Sequence, residues 1–116
     1  DIEDYFKNFG RAKLTVYEAI KNKLTLADNS EYVEGADFYN IKDLDDAVNA
    51  LDNYDYIVLC IGEPTYTETP GNIYDLNLPE AQLKLANTLL DKNKPLILVY
   101  LGGRPRIITE LVERAQ

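Results

Sequence analysis

The chain has 116 residues, 46% of them hydrophobic, with 20 acidic against 12 basic side chains and a formal net charge of -8. That length suits one domain with a real core. The acidic balance and the scattered bases exclude a nucleic-acid or anionic-membrane partner, since both need clustered positive charge. There is no histidine, which removes the commonest metal ligand and general base. No apolar stretch is long enough to span a bilayer, and Asp1-Ile2-Glu3-Asp4 does not read as a signal peptide.

In chain order, the first dozen residues, through Phe6, Phe9 and Gly10, show no clear period. Thr15-Val16-Tyr17-Glu18 then spells a capping box, with Thr15 as N-cap and Glu18 three residues on. Val16, Ala19, Ile20 and Leu24 follow at helical spacing. Residues 31–35 read as a short strand. Asn40 is placed to cap a second helix with the apolar stripe Ile41, Leu44, Ala47, Val48 and Leu51.

The run Tyr56-Ile57-Val58-Leu59-Cys60-Ile61-Gly62 reads as a buried parallel strand. Cys60, the single cysteine, is expected inside it as a small apolar residue. Pro79 suits the first turn of a third helix that buries Leu83, Ala86, Leu89 and Leu90, and Lys94-Pro95 closes it. Leu96 to Leu101 is a second continuous apolar strand. Gly102-Gly103-Arg104-Pro105 turns into a last helix, with Ile107, Ile108, Leu111 and Val112 expected inward.

Helices alternating with apolar strands predict an α/β fold: a parallel-sheet, three-layer α/β/α sandwich of flavodoxin-like type, forming one domain over residues 1–116. The pattern opens on a helix, and three strands are visible. That leaves buried-type strands near the sheet edges. A partial domain, part of a larger sheet, is the expectation.

Glu63 stands at the carboxyl end of the first long strand, where α/β proteins place their chemistry. The loop from Glu63 to Leu78 carries Glu68, Asp75, Tyr66, Tyr74 and three threonines, but no base. A loop of that length is usually functional or disordered. Two readings compete. Thr65, Thr67 and Thr69 would cradle a phosphate in a loop of flavin mononucleotide type, although Glu63 and Glu68 repel an anion and Pro70 interrupts the run. Alternatively, the loop is a polar and aromatic lid over a neutral, hydroxyl-rich ligand such as a sugar. A carboxyl shielded by such a lid gains the raised proton affinity a general acid needs.

The stretch Gly62-Glu63-Pro64-Thr65-Tyr66-Thr67-Glu68-Thr69-Pro70-Gly71-Asn72, then Asp75-Leu76-Asn77-Leu78-Pro79, Gln82, Lys94-Pro95 and Gly103-Arg104-Pro105, resembles the second domain of glycoside hydrolase family 3, the β-glucosidases and exo-glucanases. Weaker similarity reaches back to Thr15, so the resemblance covers about five-sixths of the chain. Asn72 stands where many members carry Asp, and Gly102 where Ser is common.

The resemblance implies a retaining mechanism split between domains. An Asp nucleophile comes from an N-terminal (β/α)8 barrel, and a general acid/base Glu comes from the α/β sandwich. Carried over by motif, Glu63 is that acid/base. Glu68 falls in the motif without an assigned role, and Tyr66 and Glu68 are candidate substrate contacts. The implied partners are a β-glucoside or oligosaccharide and the barrel, which this chain does not contain. No metal or cofactor is required. The implied location is secreted, periplasmic or lysosomal. A non-catalytic carbohydrate-binding or interaction domain of the same fold is the alternative, followed by a flavodoxin-like electron carrier.

Overall fold

The computed structural model describes residues 14–25 and 29–115 and divides the chain into two units, Asp1–Tyr32 and Val33–Gln116. Phe6, Phe9 and Gly10 lie outside the described residues.

In the first unit, helix α1 (Val16–Lys21) starts where the capping box predicts. Glu18 N donates to Thr15 Oγ1 at 3.1 Å and Thr15 N donates to Glu18 Oε2 at 2.8 Å. The Thr15 N–H and hydroxyl hold the Glu18 carboxyl below its usual value. The helix ends at Lys21, so Leu24 lies beyond it and is exposed rather than on its apolar stripe. Thr15→Ala should destabilise this helix by about 1 kcal/mol. Faster amide exchange in its first turns would report that loss, and unchanged exchange would refute it.

In the second unit, the strand expected over residues 31–35 does not form. The Glu34 and Gly35 carbonyls instead accept from Asp43 N and Lys42 N, at 3.2 and 3.0 Å. A single antiparallel bridge between Ala36 and Ile41 closes this turn. Asn40 is not a helix cap either. Its N–H, with that of Tyr39, donates to Asp37 Oδ1 at 2.7 and 2.8 Å, the way an Asp side chain organises its own turn. Helix α2 (Leu44–Ala50) starts later, after Asp43.

The Tyr39 N–H, then Lys42 and Asn40, hold the half-buried Asp37 carboxyl far below the ordinary carboxylate range. A depressed native value means that this turn's contribution is fully present above about pH 4, the ordinary carboxylate value. It is lost only as pH falls towards the native value. The Tyr39 and Asn40 amide resonances should therefore stay put through about pH 4 and move in stronger acid. A midpoint near the ordinary value would contradict the turn's geometry.

The α2 stripe packs on the core as expected, and a 3-10 turn, Leu51–Asn53, extends the helix. Lys94 Nζ donates to the carbonyls of Leu51 and Tyr54, supplying partners that a helix end lacks.

Strands β1 (Ile57–Gly62) and β2 (Leu96–Leu101) pair in parallel, Ile57 opposite Leu96 through Gly62 opposite Leu101. Helix α3 (Glu80–Leu90) connects them, with Pro79 as its N-cap. Asn93 follows it at φ 54°, the left-handed position that Asn tolerates past a helix end. The last helix is α4 (Thr109–Arg114). Ile57, Leu59 and Ile61 meet Leu96, then Leu85, Ala86, Leu89 and Leu90 of α3 and Leu111 of α4. Each fully buried Leu or Ile contributes about 1.5–3 kcal/mol.

The fold is thus a parallel α/β arrangement of the expected class, consistent with a partial domain. Among the described residues two strands form rather than three, and the core occupies one sheet face. On the other face Val58, Ile97 and Leu101 are exposed, and so is Cys60. Cys60 alternates with Leu59 and Ile61, so period-2 geometry turns it away from the core. Its expected burial is corrected, although its neighbours cover enough of the thiol to push its pKa up. Ile107 and Val112, expected inward on the last helix, are also outward, 52% and 55% exposed. The helix begins at Thr109, past Ile107, and the Ile107 backbone is held elsewhere: its N–H donates to Leu76 O at 2.9 Å.

Candidate active site

The carboxyl ends of β1 and β2 share one rim, and the loops leaving it converge on Glu63. Its position is set by backbone first. Glu63 N donates to Leu101 O at 2.9 Å, continuing the strand ladder by one bond. The preceding Gly62 allows the close approach of the strands, because a Cβ there would stand 1.9 Å from Leu101 O.

Gln82 of α3, only 4% exposed, fixes the same peptide from the side. Its Oε1 accepts from Gly62 N at 2.8 Å, and its Nε2 donates to Gly62 O at 2.9 Å and Phe38 O at 3.0 Å. Both backbone polar groups of the buried Gly62 are thereby satisfied by one side chain.

The Glu63 side chain is 3% exposed. It is shielded, as expected, but not alone. Arg106 places Nε 2.7 Å and Nη2 2.6 Å from Glu63 Oε1. Arg104 Nε stands 3.2 Å from the same oxygen. That contact is a charge pairing without hydrogen-bond alignment, since Arg104 Nε has no hydrogen-bond partner among the described residues. Glu63 Oε2 is also buried and unpartnered among them. The loop from Glu63 to Leu78 carries no base, but the turn after β2 brings two guanidinium groups to it.

Tyr66 lies under Arg104, whose guanidinium carbon is 3.6 Å from the ring centroid. Such stacking is favourable. Gly103 leaves room for the Tyr66 hydroxyl, since a Cβ there would stand 2.6 Å from it. Tyr66 therefore joins the loop to the turn after β2. Tyr100 Oη donates to Arg104 O at 2.8 Å. Burial, and next the Glu63 charge, push its phenol pKa up.

Arg106 Nη1 reaches the carbonyls of Asp75 and Asn77 at 3.1 and 2.7 Å. Asn77 and Ile107 form a parallel bridge beside it. The Asp75 carboxylate accepts from Asn77 N and Nδ2 at 2.9 and 2.8 Å, which holds it below its usual value, with a smaller effect from the Arg106 charge. The loop also contains a 3-10 turn, Thr69–Gly71. Glu68 precedes that turn at φ 48°, a backbone that costs on the order of 1–3 kcal/mol in a non-glycine residue. Its side chain is exposed, with no partner among the described residues.

The Glycosyl hydrolase family 3 C-terminal domain matches residues 4–116. The chain belongs to this family. A lysosomal beta glucosidase of Dictyostelium discoideum is 36% identical over 109 residues, covering 91% of this chain and 13% of that protein. A beta-xylosidase of Formosa agariphila is 28% identical over 103 residues, covering 86% of this chain and 14% of that protein. The chain thus spans a small fraction of these relatives.

Within this family 3 domain, Glu63 stands at the rim, Tyr66 packs against Arg104 and Glu68 is exposed. The sequence reading did not assign Arg106, nor the bracing role of Gln82. A signal for Arg106 was present. A loop with three acids and no base draws its counter-charge from the neighbouring strand's end, and Arg104 and Arg106 are the first bases after β2.

Proposed function

We propose that this chain is part of the single α/β sandwich domain of a retaining β-glucosidase-type hydrolase, and that Glu63 is its general acid/base. The observation that carries the reading is the position of Glu63, held by the last bond of the strand ladder at the rim, with one carboxyl oxygen unpartnered among the described residues. The names of the relatives, a beta glucosidase and a beta-xylosidase, support a β-glycoside as substrate.

In a retaining mechanism two carboxyl groups sit about 5 Å apart. One attacks the anomeric carbon. The other gives its proton to the bridging oxygen as the carbon–oxygen bond breaks, then takes a proton from the water that releases the sugar. Glu63 is assigned the second role. The nucleophile is assigned to an N-terminal barrel of the same enzyme, so the isolated chain is expected to be inactive. Because Glu63 is covered by Arg104 and Arg106, the side chains paired with it must move for substrate to reach it, a rearrangement of the kind that gates other enzymes. The test is Glu63→Ala in the intact protein, comparing poor and good leaving groups.

One observation favours a second reading, a non-catalytic recognition domain: the Glu63 side chain is 3% exposed and paired with arginine. That reading predicts sugar binding by the intact protein and no turnover for Glu63→Ala to remove.

A further inference from the structure

The two arginines after β2 use their donors differently. Every side-chain nitrogen of Arg106 is engaged, Nε and Nη2 with Glu63 Oε1 and Nη1 with the Asp75 and Asn77 carbonyls. Arg104 turns only its Nε towards Glu63, at 3.2 Å. Its Nη1 and Nη2 have no hydrogen-bond or ion-pair partner among the described residues, and unlike Nε they are not buried. We infer that Arg104 is a substrate-binding residue, whose Nη donors hold a hydroxyl of the sugar at the rim. The inference rests on the glycoside hydrolase reading. It does not depend on which carboxyl of the 63–78 loop transfers the proton.

The guanidinium is fixed in place by its own surroundings. Tyr66 covers one face of its plane, with the guanidinium carbon 3.6 Å from the ring centroid. Tyr100 Oη donates to the Arg104 carbonyl at 2.8 Å, which anchors the backbone. Gly103 admits the Tyr66 hydroxyl, because a Cβ there would stand 2.6 Å from it. Ordering a long side chain is part of the cost of binding, and a guanidinium already held flat escapes most of it. The side chain is 20% exposed, so its outer edge can meet a ligand. An arginine offers donors and no acceptor, and its occupant must therefore supply oxygens. Charge narrows the choice. Glu63, Glu68 and Asp75 outnumber Arg104 and Arg106 in these two segments, which leaves no surplus positive charge for a carboxylate or phosphate. A neutral sugar hydroxyl accepts from Nη without that repulsion.

The test uses the intact protein and two variants, Arg104→Met and Arg104→Lys. The probes are the 4-nitrophenyl β-glucoside or β-xyloside, whichever the native protein cleaves, and its monodeoxy analogues, each lacking one hydroxyl. The native protein should disfavour the analogue that lacks the Arg104-bound hydroxyl by roughly tenfold to a hundredfold in kcat/KM, the range for a hydrogen bond to a charged group. Arg104→Met should lower kcat/KM on the parent by a similar factor and barely affect that analogue. Discrimination then vanishes at one hydroxyl and persists at the others. Arg104→Lys keeps the charge without the planar fork and should retain part of the discrimination at the same hydroxyl.

Discrimination unchanged at every hydroxyl, whatever the loss in overall rate, would make Arg104 a structural clip. That result overturns the inference and leaves the hydrolase reading standing. Where Arg104→Met fails to fold, Arg104→Lys decides by the same comparison. A native preference for the 4-nitrophenyl β-glucuronide over the β-glucoside would make the acceptor a carboxylate, and would also overturn the inference. Failure of the intact native protein to cleave any of these glycosides refutes the hydrolase reading and the inference with it.

Discussion

Replacing Glu63 with alanine in the intact protein should reduce kcat/KM on a methyl β-glycoside by about 10²–10⁴, the range that general acid help supplies. On the 4-nitrophenyl glycoside, kcat/KM should fall far less. Nitrophenolate is a stable anion and leaves without a proton, so the first step barely feels the loss. The second step does feel it, because water no longer has a base to take its proton. The glycosyl-enzyme should therefore accumulate, lowering kcat and KM together on the aryl substrate. Azide needs no base and should restore turnover by forming the glycosyl azide. Equal loss of kcat/KM on both leaving groups, with no azide rescue, would remove Glu63 from the acid/base role.

The largest effect on stability is expected at Gln82. Gln82→Leu keeps much of the volume but removes the groups that satisfy Gly62 N, Gly62 O and Phe38 O. A buried polar group left without a partner costs about 1–3 kcal/mol. Gly62 O and N sit at the sheet's rim under α3, so the loss at that one residue should total about 3 kcal/mol. It would be read as a lower urea midpoint at unchanged slope. A change below about 0.5 kcal/mol, the usual size for an unimportant surface site, would mean that water replaces the amide. Because Gly62 carries Glu63, the variant should also lose rate at temperatures where it remains folded.

Much of the fold was legible in sequence. The continuous apolar runs gave β1 and β2 their bounds to within a residue, because a strand buried on its core face leaves a dense local signal. The capping box marked α1, and Pro79 marked the start of α3. The misses also have local causes. Asn40 has a cap residue's chemistry, but Asp37, three residues earlier, claims its amide. The inward set Ile107 and Val112 assumed that the helix follows directly on the turn, whereas the Leu76 carbonyl holds Ile107 in a bridge first. Cys60 sits in an apolar run, and such a run does not reveal which of its two faces is covered.

The same division applies to the site. The amino-acid sequence alone determined that Glu63 follows a strand end at the head of a base-free loop, because strand, turn and loop are neighbours along the chain. Tertiary structure alone decided what meets that carboxyl. Arg106 lies 43 positions away and Gln82 acts on Gly62 across 20. Their approach follows from the parallel register that sets Gly62 beside Leu101, and from the packing of α3 on the strands. No local pattern encodes such distances, because they arise only when the strands and the helix between them are packed together.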